Sequence, residues 1–107
     1  MKLRELDAEV ARRLGCEPEY RDGWWHCTCG RHRPARRRKE WPSDILEFYS
    51  TTISAAFPIA DTERFILIPK RDGGWMACKE IAGERVVLGQ GRTCSEAICR
   101  AFVRLAP

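Results

Sequence analysis

Cys27-Thr28-Cys29-Gly30-Arg31-His32 gathers two thiols and an imidazole within a single turn's length of chain. Tetrahedral zinc takes sulfur and imidazole ligands, and a glycine such as Gly30 lets the backbone fold around the ion. Cys27, Cys29 and His32 could supply three ligands, with either Cys16 or His26 as the fourth. The C-x-C spacing is tighter than the usual C-x2-C, and no second pair follows it. The competing reading is a pair of ordinary thiols on an exposed loop.

The next stretch is a charge block. Residues 31–39 read RHRPARRRK, so Arg31, Arg33, Arg36, Arg37, Arg38 and Lys39 lie together without an acid among them. The rest of the chain then holds 13 basic and 15 acidic residues, so this one segment more than accounts for the net charge of +4. Polarised charge of this kind marks a surface for an anionic partner. Trp24, Trp25 and Trp41 flank the block and could stack on unpaired bases. The same mixture of tryptophan and arginine also dominates protein–protein hot spots, and a solvated charged loop is the plainest alternative.

Little else suggests chemistry. The chain shows no paired carboxylates, phosphate-cradling glycine loop or serine–histidine–acid set. Cys94 falls at a predicted helix start, where the dipole lowers a thiol pKa, but neither histidine is near it in sequence. Cys78 and Cys99 fit packing positions. A non-enzymatic protein is therefore expected. With 107 residues the chain reads as one domain, 1–107, able to build a single core. No apolar run approaches the ~20 residues that cross a bilayer, and the first residues lack an apolar signal core. The expected setting is the cytosol, where the unevenly spaced cysteines stay reduced.

The positioning elements follow from periodicity. Leu3, Leu6, Val10 and Leu14 form one stripe on a charged helix that Gly15 terminates. Residues 16–48 lose all periodicity and form a long Cys/His/Arg-rich insert, with one helical turn expected over Ser43–Phe48. Ser50 is positioned to cap a second helix with Ile53, Ala56, Phe57 and Ala60 inward, ending or bending near Phe57 because of Pro58. Phe65–Ile68, Trp75–Ile81 and Arg85–Leu88 read as strands joined by short turns, hence as a three-stranded antiparallel meander. Gly89-Gln90-Gly91 leads to Thr93 and Glu96, whose spacing is that of a capping box, and to a last helix burying Ala97, Ile98, Ala101, Phe102 and Leu105. The predicted class is α+β, a meander with helices packed around it as a layered αβα sandwich. Trp75 should pack on the sheet, while Trp24, Trp25 and Trp41 should form the contact surface.

Leu3, Glu5-Leu6-Asp7, Val10-Ala11 and Leu14-Gly15 resemble the opening helix of the phage αβα-sandwich ("ABA sandwich") domain family. Tyr49-Ser50-Thr51, Ile53 and Ala55-Ala56 resemble its second helix, and Ala97-Ile98-Cys99-Arg100-Ala101 its last. The similarity covers residues 1–15 and 49–106, with Thr52 in place of an acid and Phe57 in place of a tryptophan. It implies a small phage or prophage protein with helices around a sheet, and no activity. By analogy with small phage domains that lack catalytic sites, the expected role is an accessory protein that binds a host protein or ribonucleoprotein in the bacterial cytosol. Inhibition of a defence system is the sharper form of that expectation. The alternative is a nucleic-acid-binding module that uses residues 31–39. Helix, three antiparallel strands and helix is also the order of double-stranded RNA-binding domains, but their phosphate-contacting lysines are replaced here by Thr93, Cys94, Ser95 and Glu96.

Overall fold

The computed structural model describes residues 1–105. Residues 106 and 107, which close the expected domain and the end of the family resemblance, lie outside the described residues. The fold is α+β, with helices packed on a three-stranded antiparallel sheet and a second, two-stranded sheet inside the insert.

Helix α1 (Leu3–Arg13) buries more than one stripe. Leu6 and Val10 are buried as the pattern predicts, but so are Asp7, Ala8 and Ala11, while Leu3 and Leu14 remain partly in solvent. Its end follows the sequence. Gly15 is left-handed at φ +95°, its N–H donates to the Arg12 carbonyl at 3.0 Å, and the Cys16 N–H donates to the Ala11 carbonyl at 2.9 Å. These two bonds are the Schellman pattern. They turn the chain sharply and set Cys16 directly beneath the helix it follows.

The insert is ordered, and it contains a hairpin that periodicity did not reveal. Strands β1 (Glu19–Arg21) and β2 (Trp24–His26) pair antiparallel, Glu19 opposite His26 and Arg21 opposite Trp24. Asp22 and Gly23 form the turn, with φ of 54° and 83°. Two successive positive φ values are what a two-residue hairpin turn requires, and Asp-Gly meets that need at low cost. The helical turn expected over Ser43–Phe48 does not form. Residues 44–46 instead run extended beside β2, where the Cys27 N–H reaches the Asp44 carbonyl at 2.7 Å and the Leu46 N–H reaches that of Trp25 at 3.0 Å. Ile45 and Leu46 are fully buried there, and pairing satisfies their backbone where a short helix would leave the neighbouring strand unmatched.

Helix α2 (Ile53–Glu63) departs from expectation at both ends. Thr52 is its N-cap residue and makes no side-chain cap, whereas Ser50 is buried and turned toward α1. The helix continues through Pro58. Pro58 and Ser54, four residues earlier, are both exposed, so water hydrates the carbonyl that Pro58 cannot satisfy. The inward face is Ala56, Ile59 and Ala60. Ile53 and Phe57 point out, 49% and 54% exposed.

The meander consists of β3 (Ile66–Pro69), β4 (Trp75–Ile81) and β5 (Glu84–Gly91) in that order, all antiparallel. Helix α3 (Cys94–Arg104) lies across β4 and β5, and α1 and α2 pack against it. The Thr93 hydroxyl accepts the Glu96 N–H at 3.1 Å, as the capping box predicts, while the Glu96 carboxylate reaches back to the Arg92 N–H at 3.3 Å, one residue earlier than the standard box. Gly89-Gln90-Gly91, expected as a lead-in loop, belongs to β5. Its glycines are steric: a Cβ on Gly89 would lie 2.4 Å from the Ala101 nitrogen and 2.6 Å from the Ala97 carbonyl oxygen. Trp75 packs where expected, against the cluster of Ala77, Leu88, Ala97 and Ala101. The larger core joins Leu6, Val10, Ile59, Ile98 and Cys99 to Cys16, Cys27 and Leu46 from the insert.

Gly89→Ala forces either α3 or β5 to shift by backbone movement, because both clashing groups are main-chain atoms. Such overpacking costs about 1–3 kcal/mol. A melting curve should show a drop of several degrees, and an unchanged midpoint would contradict this packing.

Candidate metal centre and basic arm

Cys16, Cys27, Cys29 and His32 bring one ligand atom each into a cluster in which all four lie within 4.8 Å of one another. The Cys16 and Cys27 sulfurs are 3.9 Å apart, those of Cys27 and Cys29 3.6 Å apart, and the Cys29 sulfur lies 3.0 Å from His32 Nδ1. A tetrahedron with metal–sulfur bonds of about 2.3 Å has sulfur–sulfur edges near ~3.8 Å, so the thiol spacing matches a tetrahedral ion and is far too wide for a disulfide. All three cysteines are free.

Three local structures build the cluster. The Schellman turn of α1 supplies Cys16. The β1–β2 register brings Cys27, one residue past the Glu19–His26 pair, back beside it. Gly30, at φ +82°, then reverses the chain so that Cys29 and His32 face Cys27. The backbone already addresses sulfur as an anion: the His32 N–H points at Cys27 Sγ at 3.3 Å and the Arg31 N–H at Cys29 Sγ at 3.5 Å. The Arg31 N–H, followed by the His32 side chain, holds the Cys29 thiol down at about 6. Burial pushes the Cys16 thiol up, as it does the hydroxyl of neighbouring Tyr49. A buried, reluctant thiol beside an exposed, ready one suits a site that a metal completes.

The fourth member of the cluster is thus Cys16, and His26 does a different job. Neighbouring strand residues point to opposite faces, so His26 turns away from Cys27. Its Nδ1 lies 2.6 Å from Asp44 Oδ1 and its Nε2 lies 3.1 Å from the Arg21 carbonyl oxygen. With a ring nitrogen facing an oxygen on each side, His26 bolts the hairpin to the extended 44–46 segment.

The expected contact surface divides. Trp25 packs against the larger core, its ring 5.3 Å from that of Tyr20 with the Arg12 guanidinium at 5.5 Å, so it is part of the scaffold. Trp24 is 37% exposed. Trp41 is half-buried, 4.8 Å from the Phe48 ring with Arg38 at 5.5 Å. Arg33 spends its guanidinium on the Cys27 carbonyl at 3.2 Å, while Arg31, Arg36, Arg37, Arg38 and Lys39 are exposed. Cys94 is half-buried at the start of α3, and burial pushes its thiol up, against the lowering that its helix position suggests. Cys78 and Cys99, read as packing positions, are both fully buried.

Arg4 and Asp7 are the residues that pattern reading missed. Asp7 is fully buried; its Oδ2 accepts from Arg4 at 2.7 Å and its Oδ1 from the Ser50 N–H at 2.7 Å. Arg4 also donates to the carbonyls of Leu46 and Glu47 and lies 3.8 Å over the Phe48 ring. Arg4-x-x-Asp7 looks like an ordinary surface pair on a charged helix, and only the three-dimensional packing makes it internal.

No protein-family model, curated protein or solved structure matches this chain.

Two outcomes follow from this geometry. Trp25→Ala should lower stability by about 2–3 kcal/mol, because a large aromatic leaves the core edge, whereas Trp24→Ala should change the melting midpoint little. Equal losses would place Trp24 in the core as well. The hydrogen bond from His26, more than the charges of His26 and Arg21, holds the Asp44 carboxyl below its ordinary value of 3.8. A depressed carboxylate stabilises above its unfolded value and loses that contribution as pH falls through the folded one. Asp44→Asn should therefore cost stability at neutral pH, and the gap between the two proteins should close as the pH drops below about 4.

Proposed function

We propose that this protein is a non-enzymatic binding module in which one structural zinc ion, held by Cys16, Cys27, Cys29 and His32, fixes the insert and presents the basic arm 31–39 to a partner. The four-atom cluster carries the reading. Three sulfurs and one imidazole form a closed tetrahedral set, which is the composition of structural rather than catalytic zinc sites. Softness selects zinc over magnesium or calcium, which prefer oxygen. The site sits where order is most needed, between a helix end inside the core and a run of like charges outside it. No helix among the described residues is long and apolar enough to cross a membrane.

Metal would act here by fixing position. It would tie Cys29 and His32 at the surface to Cys16 and Cys27 in the core, so that the arm leaves the fold from a rigid base. The partner is proposed to be a host macromolecule, protein or ribonucleoprotein, bound by a phage or prophage accessory protein. That part rests on the family resemblance of residues 1–15 and 49–106, and interference with a bacterial defence system is its sharpest form.

Protein purified without chelator should carry about one zinc per chain by elemental analysis. Cys16→Ser should lose the metal and His26→Ala should keep it, which separates the two candidates for the fourth ligand. Cys29 should resist alkylation until a chelator is added. Metal-free protein in which Cys27 and Cys29 alkylate at once would overturn the zinc site. For the binding role, capture of a partner from bacterial lysate should fail after Arg36, Arg37, Arg38 and Lys39 are replaced by alanine; capture unaffected by that change would refute the arm as the interface.

A further inference from the structure

Two grooves flank Phe48. One, about 720 Å³, is lined by Arg36, Arg38, Trp41, Phe48, Thr51 and Ser54 among others. The second, about 570 Å³, is lined by Lys2, Tyr20, Trp24, Trp25 and Phe48 among others. Phe48 itself is held between the Trp41 ring at 4.8 Å and the Arg4 guanidinium at 3.8 Å, so it forms the shared wall. The first groove is a track that sets the exposed Arg36 and Arg38 beside the Trp41 ring, while the second, across Phe48, holds Lys2, Tyr20 and Trp24 together with the acid Glu5.

From this track we infer that the partner is single-stranded nucleic acid, seated with its backbone along Arg36 and Arg38 and a base stacked at Trp41. The assignment rests on the binding role proposed above and names its partner class. Three features favour it. Among the described residues, Arg36 and Arg38 make no ion pair with a carboxylate, so their charge is available to phosphate. The one acid lining this groove, Glu47, has an oxygen occupied by the Phe48 N–H at 2.9 Å. Thr51 and Ser54 add hydroxyls that can donate to phosphate oxygens or sugars. Rings set among cations in a concave track are the arrangement that holds unpaired bases by stacking while charge follows the backbone. A duplex hides its base faces, and this track offers no protruding helix or strand to enter a groove. On the other side of Phe48 the second groove offers two more exposed rings, Trp24 and Tyr20, beside the acid Glu5.

The test uses the 107-residue chain, purified without chelator, and fluorescence anisotropy with a labelled homopolymeric single strand, its duplex form and free inorganic phosphate as competitor. The single strand should bind more tightly than the duplex, and phosphate should compete only weakly. Trp41→Ala should weaken binding roughly ten-fold or more, and Trp41→Phe should restore most of it, because stacking needs a ring rather than an indole. Arg36→Ala with Arg38→Ala should make the log–log salt dependence shallower by about 1.4, at roughly 0.7 per phosphate contact on a single strand. Melting curves for each variant confirm folding, and the exposed arginine pair provides a readout that does not depend on the half-buried tryptophan. The assignment is overturned if folded variants of both kinds bind like the parent, or if the duplex binds as well as the single strand. If no oligonucleotide binds but nuclease-resistant capture from lysate still requires the arm, the partner is protein and only the nucleic-acid assignment falls. If both fail, the binding role falls with it.

Discussion

A carboxylate with no exposed surface has to be satisfied where it stands, and the way Asp7 is satisfied fixes how the insert joins the fold. Burial pushes its pKa up, while the Ser50 hydrogen bonds and Arg4 oppose that shift. Removing either partner from such a site leaves an uncompensated polar group, which is far costlier than never having built the pair. Arg4 meets the carboxylate and also donates to the carbonyls of Leu46 and Glu47, and its plane covers Phe48. The outgoing end of the insert is thereby fastened to the first turns of α1. The Schellman turn at Gly15 fastens the incoming end to the last turn of the same helix. A segment of more than thirty residues thus hangs by both ends from one helix, and the entropy of closing that loop is met by contacts made close to home.

Between those attachments the hairpin does the positioning that a metal ion alone would find hard. Its tight turn at Asp22-Gly23 returns the chain within a few residues. The His26–Asp44 hydrogen bond holds the extended 44–46 segment against it. Cys27 therefore arrives beside Cys16 already buried, and only Cys29 and His32 need a loop to reach them. A preformed half-site lowers the ordering cost of the other half. The backbone N–H groups aimed at Cys27 and Cys29 also favour the charged form of sulfur before any ion is present.

Much of this was legible in residue order. The first helix, its glycine stop, the meander and the Thr93 cap all rest on local rules, and the structure contains each of them. The ligand candidates were visible as well, but the fourth was open between Cys16 and His26. Strand alternation decides it, and alternation could be applied only once β2 was recognised. Asp22-Gly23 was the available signal, obscured because the flanking strands are three residues each and their apolar and polar positions do not alternate cleanly. Pro58 misled for a related reason. A proline stops a helix when the freed carbonyl is buried, and exposure at Ser54 is a property of the assembled fold. Arg4 and Asp7 were illegible in principle, since an i,i+3 charge pair reads identically whether it faces water or a neighbouring chain segment.

The charge block closes on itself in an informative way. Six cations within nine residues repel one another and favour an extended, solvated chain. Yet the segment begins at His32, whose carbonyl accepts the Glu47 N–H at 3.0 Å, and it ends at Trp41, which packs on Phe48. Both anchors lie beside the Arg4 attachment, so the arm is a loop returning to its own base rather than a free tail. Arg33, on the Cys27 carbonyl, and Trp41, on Phe48, are the points where the charged loop is tied into the contacts that stabilise the fold.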